Sequence, residues 1–243
     1  MAIAQIFRPA PPEGARQLFL LLGDAGAPWQ QLSPLGDALA QAFPHAAIVI
    51  LQGPHALAEG GCWLVTDDET EPQALALATL TQAGLDAAVE RALPGCIGSI
   101  RAWQAQMKVL PEATALIGVG EGAALALAAA LAGAGDGHPV CGRVSTLGGR
   151  FASLPDEVAP TLLVHLLHGK ADERVHFGET VRTAEALVKQ GGDVVADIVP
   201  HEGSQLGEEL IGWLLDRLQK RVPQHVWKAA MKVVDDDEAN RCG

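Results

Sequence analysis

The chain has 243 residues, of which 49% are hydrophobic and 19% are charged, and its formal net charge is −12. This composition predicts a folded domain with a sizeable core and argues against a largely disordered chain. The acidic balance repels phosphate groups, so we expect no nucleic-acid partner and no binding to a membrane.

The four cysteines indicate a reduced, cytoplasmic protein. Cys62, Cys96, Cys141 and Cys242 are too far apart in sequence for a CxxC pair or a zinc knuckle. We therefore expect free thiols and no metal, and nothing in the sequence calls for another cofactor. Residues 1–12 contain no apolar run long enough for a signal peptide, and residues 123–132 are too short to span a bilayer.

Short apolar runs alternate with helical patterns along the chain. Strands are predicted at residues 17–23, 46–51, 113–118, 140–147, 161–167 and 194–199. Helices are predicted at residues 33–43, 71–93, 97–110, 121–132, 177–190 and 205–221, with Pro94-Gly95 expected to separate the second helix from the third. This alternation predicts a single α/β domain over residues 1–222, with a mostly parallel sheet and helices on both faces. Residues 223–243 are predicted to be a mobile, acidic tail.

A glycine-rich turn follows the third predicted strand. Residues 118–122 read Gly-Val-Gly-Glu-Gly and lead directly into a helix, which is the setting of a nucleophile elbow, G-x-S-x-G. The nucleophile position is occupied by Gly120, which tolerates the strained backbone of the turn but has no reactive side chain. Glu121 is one position too late to replace the nucleophile.

Two other interpretations of this turn remain open. Gly118, Gly120 and Ala123 formally fit a dinucleotide-binding fingerprint, but that fingerprint belongs to a first strand–helix turn. The glycines are also consistent with a turn that only connects a strand to a helix.

Two later loops add to the pattern. His168-Gly169-Lys170-Ala171-Asp172 follows a predicted strand and resembles the H-G-x-x-D loop that carries the acid of a catalytic triad. The last predicted strand is followed by Pro200-His201-Glu202-Gly203-Ser204, where Ser204 occupies the place expected for the triad histidine. For Asp172 alone, a carboxylate that caps backbone N–H groups in a turn is the favoured interpretation.

With these motifs, the sequence resembles the carboxylesterase, phospholipase and thioesterase family of α/β-hydrolases, and within it the YpfH-type bacterial esterase branch. The matching stretches keep their order over most of the chain: ARQLFLLLGDAG (15–26), ATALIGVGEGAALAL (113–127), LGGRFASLP (147–155), HLLHGKADERV (165–175) and GGDVVADIV (191–199). The resemblance implies an α/β-hydrolase fold and a carboxylic-ester hydrolase ancestry. The family's H-G after the first strand, S-Q-G at the elbow and G-H near the end are replaced by Leu22-Gly23, Gly120-Glu121-Gly122 and Gly203-Ser204.

These replacements remove the groups that acyl transfer needs. Gly120 supplies no nucleophile and Ser204 cannot serve as a base near pH 7, so of the family's triad positions only Asp172 matches. An oxyanion hole remains plausible from the backbone N–H groups of Asp24 or Ala25 and of Glu121, which would hold a carboxylate, although the side chains of Asp24 and Glu121 oppose an anion. Candidate ligand-binding residues are Gly23, Asp24, Ala25, Glu121 and Trp63, with Trp63 as an apolar anchor beside the pocket.

Three functions follow as hypotheses. The first is a non-catalytic family member that binds a small acyl or carboxylate ligand or associates with a protein. The second is an active hydrolase with a rearranged site, in which Glu121 and His201 activate a water molecule and His168 lies beside the acid loop. The third is a structural or homo-oligomeric domain with a closed pocket.

Overall fold

The computed structural model describes residues 3–67, 73–75, 77, 79–135 and 138–220. Its strands are β1 Ile3–Arg8, β2 Gln17–Leu22, β3 Ala46–Gln52, β4 His55–Leu57, β5 Gly60–Cys62, β6 Thr114–Val119, β7 Arg143–Leu147, β8 Leu163–Gly169 and β9 Asp193–Val199. Its helices are α1 Ser33–Ala42, α2 Gln82–Met107, α3 Glu121–Gly135, α4 Gly178–Lys189 and α5 Glu208–Lys220. Two short 3-10 turns, Trp29–Leu32 and Pro111–Ala113, precede α1 and β6.

Seven strands form one sheet in the order β1-β3-β2-β6-β7-β8-β9. Strand β1 is antiparallel to β3, and all the other neighbours are parallel. This architecture confirms the predicted α/β-hydrolase fold with a mostly parallel central sheet. The parallel strands place the loops after β2, β6, β8 and β9 at one edge of the sheet, where the candidate site residues lie.

The central strands are continuous apolar runs because helices cover them on both sides. Every residue of β6 and β8 is buried, as are all but the last residue of β3. Helices α2, α3 and α4 pack on one face, and α1 and α5 pack on the other, so that two apolar layers enclose the sheet. The small side chains of α3 allow it to lie close to β6 and β7.

The predicted interruption at Pro94-Gly95 is wrong, because α2 is one continuous helix with Pro94 inside it. The same helix begins at Gln82, not at residue 71, with the Thr81 hydroxyl accepting a hydrogen bond from the Gly84 N–H group. Pro94 and Gly95 lie on the exposed side of the helix, so the backbone carbonyl that proline leaves without an N–H partner is on the solvent side. Buried residues on both sides of Pro94, among them Val89 and Cys96, keep the two halves on the same apolar layer, so packing outweighs the local helix-breaking tendency.

Two elements were not predicted from the sequence. The antiparallel edge strand β1 is half exposed and has no continuous apolar run, and the β4–β5 hairpin is only three residues long on each side. The other predicted strands and helices agree with the structure to within about three residues at each end. Within the described residues no helix is long and apolar enough to cross a membrane. The predicted acidic tail, 223–243, lies outside the described residues.

Candidate functional site

The turn after β6 has the backbone shape of a nucleophile elbow, with a glycine at its centre. Gly120 has a φ of +56°, the left-handed conformation in which the central residue of such a turn is held. The flanking glycines permit close backbone contact: a Cβ on Gly118 would lie 2.2 Å from the Gly122 carbonyl oxygen, and one on Gly122 would lie 2.2 Å from the Leu22 carbonyl oxygen. The three glycines therefore preserve the elbow, while position 120 presents no side chain above the sheet.

The space above Gly120 is occupied by the carboxylate of Asp24, which follows β2. A Cβ on Gly120 would lie 2.2 Å from Asp24 Oδ1 and 2.7 Å from Oδ2. Asp24 Oδ1 accepts hydrogen bonds from the backbone N–H groups of Ala25, at 3.0 Å, and Glu121, at 2.9 Å. In an α/β-hydrolase these two positions, the residue after the nucleophile and a loop residue after an earlier strand, supply the oxyanion hole. In this structure the N–H groups at both positions donate to the Asp24 carboxylate.

The second oxygen of the Asp24 carboxylate, Oδ2, forms an ion pair with Arg174. The Arg174 guanidinium Nη1 lies 2.8 Å from Asp24 Oδ2, and the Arg174 side chain is 56% exposed while that of Asp24 is 22% exposed. Arg174 also makes a long contact of 3.5 Å from Nη2 to the Ser204 carbonyl oxygen. The Asp24 carboxylate is therefore bound by two backbone N–H groups and one guanidinium.

Asp172, the one match to the family triad, acts as a turn acceptor in this structure. Its Oδ1 accepts hydrogen bonds from the backbone N–H groups of Arg174, at 2.8 Å, and Val175, at 3.1 Å. Its Oδ2 lies 3.3 Å from His168 Nε2. These contacts organise the loop after β8 and position Arg174 toward Asp24.

The two candidate histidines do not form a catalytic dyad. The His168 ring is fully buried, with Nδ1 2.7 Å from the Thr180 hydroxyl and Nε2 2.9 Å from the Val175 carbonyl oxygen. Both ring nitrogens are therefore committed to structural contacts. His201 lies in the exposed turn after β9 and lines neither of the cavities described below.

Glu121 points into the protein behind the elbow. Its residue is 1% exposed, and Oε1 accepts a hydrogen bond of 2.5 Å from the Trp63 backbone N–H group, whereas Oε2 has no hydrogen-bond partner among the described residues. Burial raises the pKa of Glu121 to about 7, although hydrogen bonds from the backbone of Trp63 and Leu64 oppose the shift and the negative charge of Asp24 adds to it. Glu121 is thus buried behind the elbow, whereas His201 is exposed in the turn after β9.

Two cavities flank the Asp24–Arg174 pair. The smaller, of about 190 Å³, lies over the elbow and is lined by Ala25, Gly120, Glu121 and Asp172 among others. The larger, of about 580 Å³, lies on the other side at the ends of β2 and β3 and includes Gly23. Asp24, Arg174 and Ser204 line both. The described residues contain no group of three or more His, Cys, Asp or Glu side chains arranged to hold a metal ion.

The sequence-based site is thus only partly assembled. Gly23, Asp24, Ala25, Glu121 and Ser204 each line at least one of the two cavities. Trp63 is instead a core residue that lines neither cavity. Of the two alternative first donors, the structure uses Ala25, and the carboxylate that the hole accommodates belongs to Asp24 itself. Arg174 was not predicted. Its position two residues after Asp172, in a turn that Asp172 organises, is the signal that would have identified it.

Comparison with known proteins supports this fold over nearly the whole chain. The sequence profile of the family described as Phospholipase/Carboxylesterase matches residues 13–220. The chain is 31% identical over 233 residues to Esterase YpfH of Escherichia coli (strain K12), covering 94% of this chain and 94% of that protein. Among solved structures, esterase PE8 superposes with a TM-score of 0.74 at 22% identity, covering 91% of this chain and 98% of that one. A carboxylesterase from Mesorhizobium loti superposes with a TM-score of 0.68 at 18% identity, covering 85% and 90%.

Proposed function

The chain belongs to the phospholipase/carboxylesterase family of α/β-hydrolases, and we propose that it is a non-catalytic member that binds a small molecule at the carboxyl ends of its strands. The observation that carries this proposal is the position of Asp24. Its carboxylate fills the space above Gly120 and accepts both hydrogen bonds that would stabilise a tetrahedral intermediate.

Acyl transfer requires an activated nucleophile, a base and a stabilised oxyanion, and each requirement is unmet at this site. Gly120 has no side chain to attack a carbonyl, and Ser204 has no group that accepts a proton near pH 7. Loss of one oxyanion-hole donor alone reduces kcat by about 10²–10³-fold in a serine hydrolase. With both donors bound to Asp24, residual catalysis from the hole is also suppressed.

A rearranged hydrolytic site receives no support from the geometry. It would require Glu121 to activate a water molecule together with His201, but Glu121 Oε1 is bound to the Trp63 backbone and His201 is exposed elsewhere. His168 is fully buried and its two ring nitrogens already have partners. The carboxylate and the base that this alternative needs are therefore separated.

A ligand-binding role is supported by the space that remains. A closed structural domain would have filled the former pocket, whereas a cavity of about 580 Å³ lies beside Asp24 and Arg174. This volume falls within the range of about 300–1,000 Å³ typical of small-molecule sites. The described cysteines, Cys62, Cys96 and Cys141, are free and buried, which favours a reducing compartment such as the cytoplasm.

The proposal is tested by hydrolysis of p-nitrophenyl acetate and butyrate, with an active carboxylesterase of the same fold as positive control. We expect the wild-type protein to give no turnover above buffer, and the Asp172→Asn, His201→Ala and Glu121→Gln variants to behave in the same way. Turnover by the wild type that one of these substitutions abolishes would replace the proposal with a rearranged active site, and the sensitive variant would identify its acid or base.

A further inference from the structure

The larger cavity combines an apolar wall with one pair of opposite charges. Its large apolar lining residues come from the turn after β2, from β3 and β6, and from the loop after β9: Trp29, Leu32, Ile50, Val119 and Leu206. Asp24 and Arg174 are the charged residues among those that line it, and the remaining polar side chains are neutral. The cavity therefore presents an apolar surface with a dipolar end and no net charge.

The two charges retain unused hydrogen-bonding capacity. Among the described residues, Asp24 Oδ2 is bound only by Arg174 Nη1, so this oxygen has a free lone pair. Arg174 has five N–H groups, of which one is bound to Asp24 and a second makes only the long contact with the Ser204 carbonyl. A ligand at this end of the cavity meets a carboxylate that can accept and a guanidinium that can donate.

This arrangement selects the charge of the ligand. A monoanion would pair with Arg174 but would lie beside the negative Asp24, and a monocation would meet the converse repulsion. A ligand that bears an ammonium and a carboxylate on neighbouring atoms satisfies both partners, because Asp24 Oδ2 and Arg174 Nη1 are themselves only 2.8 Å apart. The half-exposed ion pair contributes little stability of its own, so rearranging it around a zwitterion is inexpensive.

We propose that this cavity binds a free α-amino acid with an apolar side chain, with the ammonium on Asp24, the carboxylate on Arg174 and the side chain against the apolar wall. The assignment rests on the ligand-binding role proposed above and gives that role a chemical class. Binding of this ligand leaves the contacts at Gly120 unchanged, because Asp24 Oδ1 stays bound to the backbone N–H groups of Ala25 and Glu121.

Two matched sets of compounds test the assignment by calorimetry and by thermal shift at pH 7.5. The first set is L-phenylalanine, 2-phenylethylamine and 3-phenylpropanoate, and the second is L-leucine, 3-methylbutylamine and 4-methylpentanoate. Within each set the side chain is constant, and the amine or the acid lacks one of the two charges. We expect at least one amino acid to bind saturably and to raise the Tm, and its amine and acid to bind about tenfold more weakly or worse.

The Arg174→Gln variant separates a ligand contact from a structural role. It removes the partner of the ligand carboxylate while leaving Asp24 available, so the amino acid should lose about tenfold or more in affinity while the corresponding amine loses none. The matched control is Arg182→Gln, because Arg182 pairs with Glu179 on α4 and does not line the cavity. This control should bind the amino acid as the wild type does.

The outcomes are distinguishable from those of the esterase assay. Equal affinity for an amino acid and its acid or amine overturns the zwitterion assignment, and so does the absence of binding by both amino acids at millimolar concentration. Either result, with no ester turnover, leaves the non-catalytic proposal intact. Ester turnover defeats the non-catalytic proposal whatever binds. If Arg174→Gln fails to fold, the comparison of the three compounds within each set on the wild-type protein still tests whether the cavity requires a zwitterion.

Discussion

The Asp24 carboxylate lies where a side chain on Gly120 would begin, because a Cβ at position 120 would be 2.2 Å from Asp24 Oδ1. The same oxygen is bound by the backbone N–H groups of Ala25 and Glu121. The Asp24 carboxylate therefore both occupies the space next to Gly120 and accepts these two backbone hydrogen bonds. The absence of a Cβ at position 120 and the presence of a carboxylate at position 24 are structurally interdependent.

Asp172 is expected to stabilise a turn and to have no catalytic role. Asp172→Ala removes the acceptor for two backbone N–H groups, so it should lower the free energy of unfolding by about 1–3 kcal/mol. Asp172→Asn keeps an Oδ1 acceptor and should cost less than about 1 kcal/mol. Urea unfolding measures both changes, with the exposed Asp156→Ala as a control that should stay within about 0.5 kcal/mol of wild type. If the Asn variant were as unstable as the Ala variant, the charge of Asp172 would matter and the turn-acceptor account would be wrong.

Glu121 is expected to make stability depend on pH in the opposite direction to most carboxylates. Burial raises its pKa from 4.5 to about 7, so the folded protein holds a proton that the unfolded chain releases between these values. The contribution of this group is greatest below pH 4.5 and is lost as the pH rises to about 7. The full shift corresponds to on the order of 3 kcal/mol.

The Glu121→Gln variant isolates this effect. Glutamine keeps an oxygen to accept from the Trp63 N–H group but cannot ionise, so the variant should be more stable than wild type at pH 8 and similar to it at pH 4.5. Urea unfolding at the two pH values measures the difference, and the exposed Glu185→Gln serves as the matched control. A wild-type and variant pair with the same pH dependence would mean that Glu121 stays ionised in the fold.

A second buried carboxylate, Asp197 on the edge strand β9, has a lowered pKa, which is the usual direction for a paired carboxylate. Asp197 on β9 contacts His165 Nε2 at 2.8 Å and is bound twice by the Arg217 guanidinium. Burial alone would raise the pKa of Asp197, but the hydrogen bonds from His165 and Arg217 outweigh it and hold the pKa below its ordinary value of 3.8. The stability from this group is therefore present above about pH 3.8 and lost as the pH falls further.

Asp197→Asn should lower the free energy of unfolding by about 2–3 kcal/mol at pH 7, because it removes a charged acceptor from two partners. It should also flatten the acid limb of the stability curve. Asp216→Asn is the comparison, since the Asp216–Lys220 pair is exposed and should contribute no more than about 1 kcal/mol. Equal losses in the two variants would show that burial of the Asp197 network adds nothing.

The sequence was sufficient to predict the fold because a strand buried on both faces is a continuous apolar run, as in β2, β3 and β8. The glycine turn after β6 could also be predicted, since its three glycines lie within five residues of one another. The helix break at Pro94 was wrong because packing of the buried side chains of α2 on both sides of the proline is a tertiary effect.

The contacts of the Asp24 carboxylate could not be predicted from the sequence in the same way. The hydrogen bond from the Glu121 N–H group to Asp24 joins residues 97 positions apart, and the ion pair with Arg174 joins residues 150 positions apart. Sequence reasoning named the N–H groups of Ala25 and Glu121 as candidate donors but treated the Asp24 charge as an obstacle to an anion. In the structure the Asp24 carboxylate itself accepts the hydrogen bonds from these N–H groups, because its side chain folds back onto the turn at Gly120.

The most direct test is a double-mutant cycle between positions 24 and 120, measured as free energies of unfolding of wild type, Gly120→Ala, Asp24→Ala and the double variant. Alanine at φ +56° carries a backbone cost of about 1–2 kcal/mol in both backgrounds. Only with Asp24 present does the new Cβ also displace a hydrogen-bonded carboxylate. We predict that Gly120→Ala costs about 1–3 kcal/mol more in the presence of Asp24 than in its absence. Equal costs, within about 0.5 kcal/mol, would contradict the claim that the Asp24 side chain occupies the place of the nucleophile.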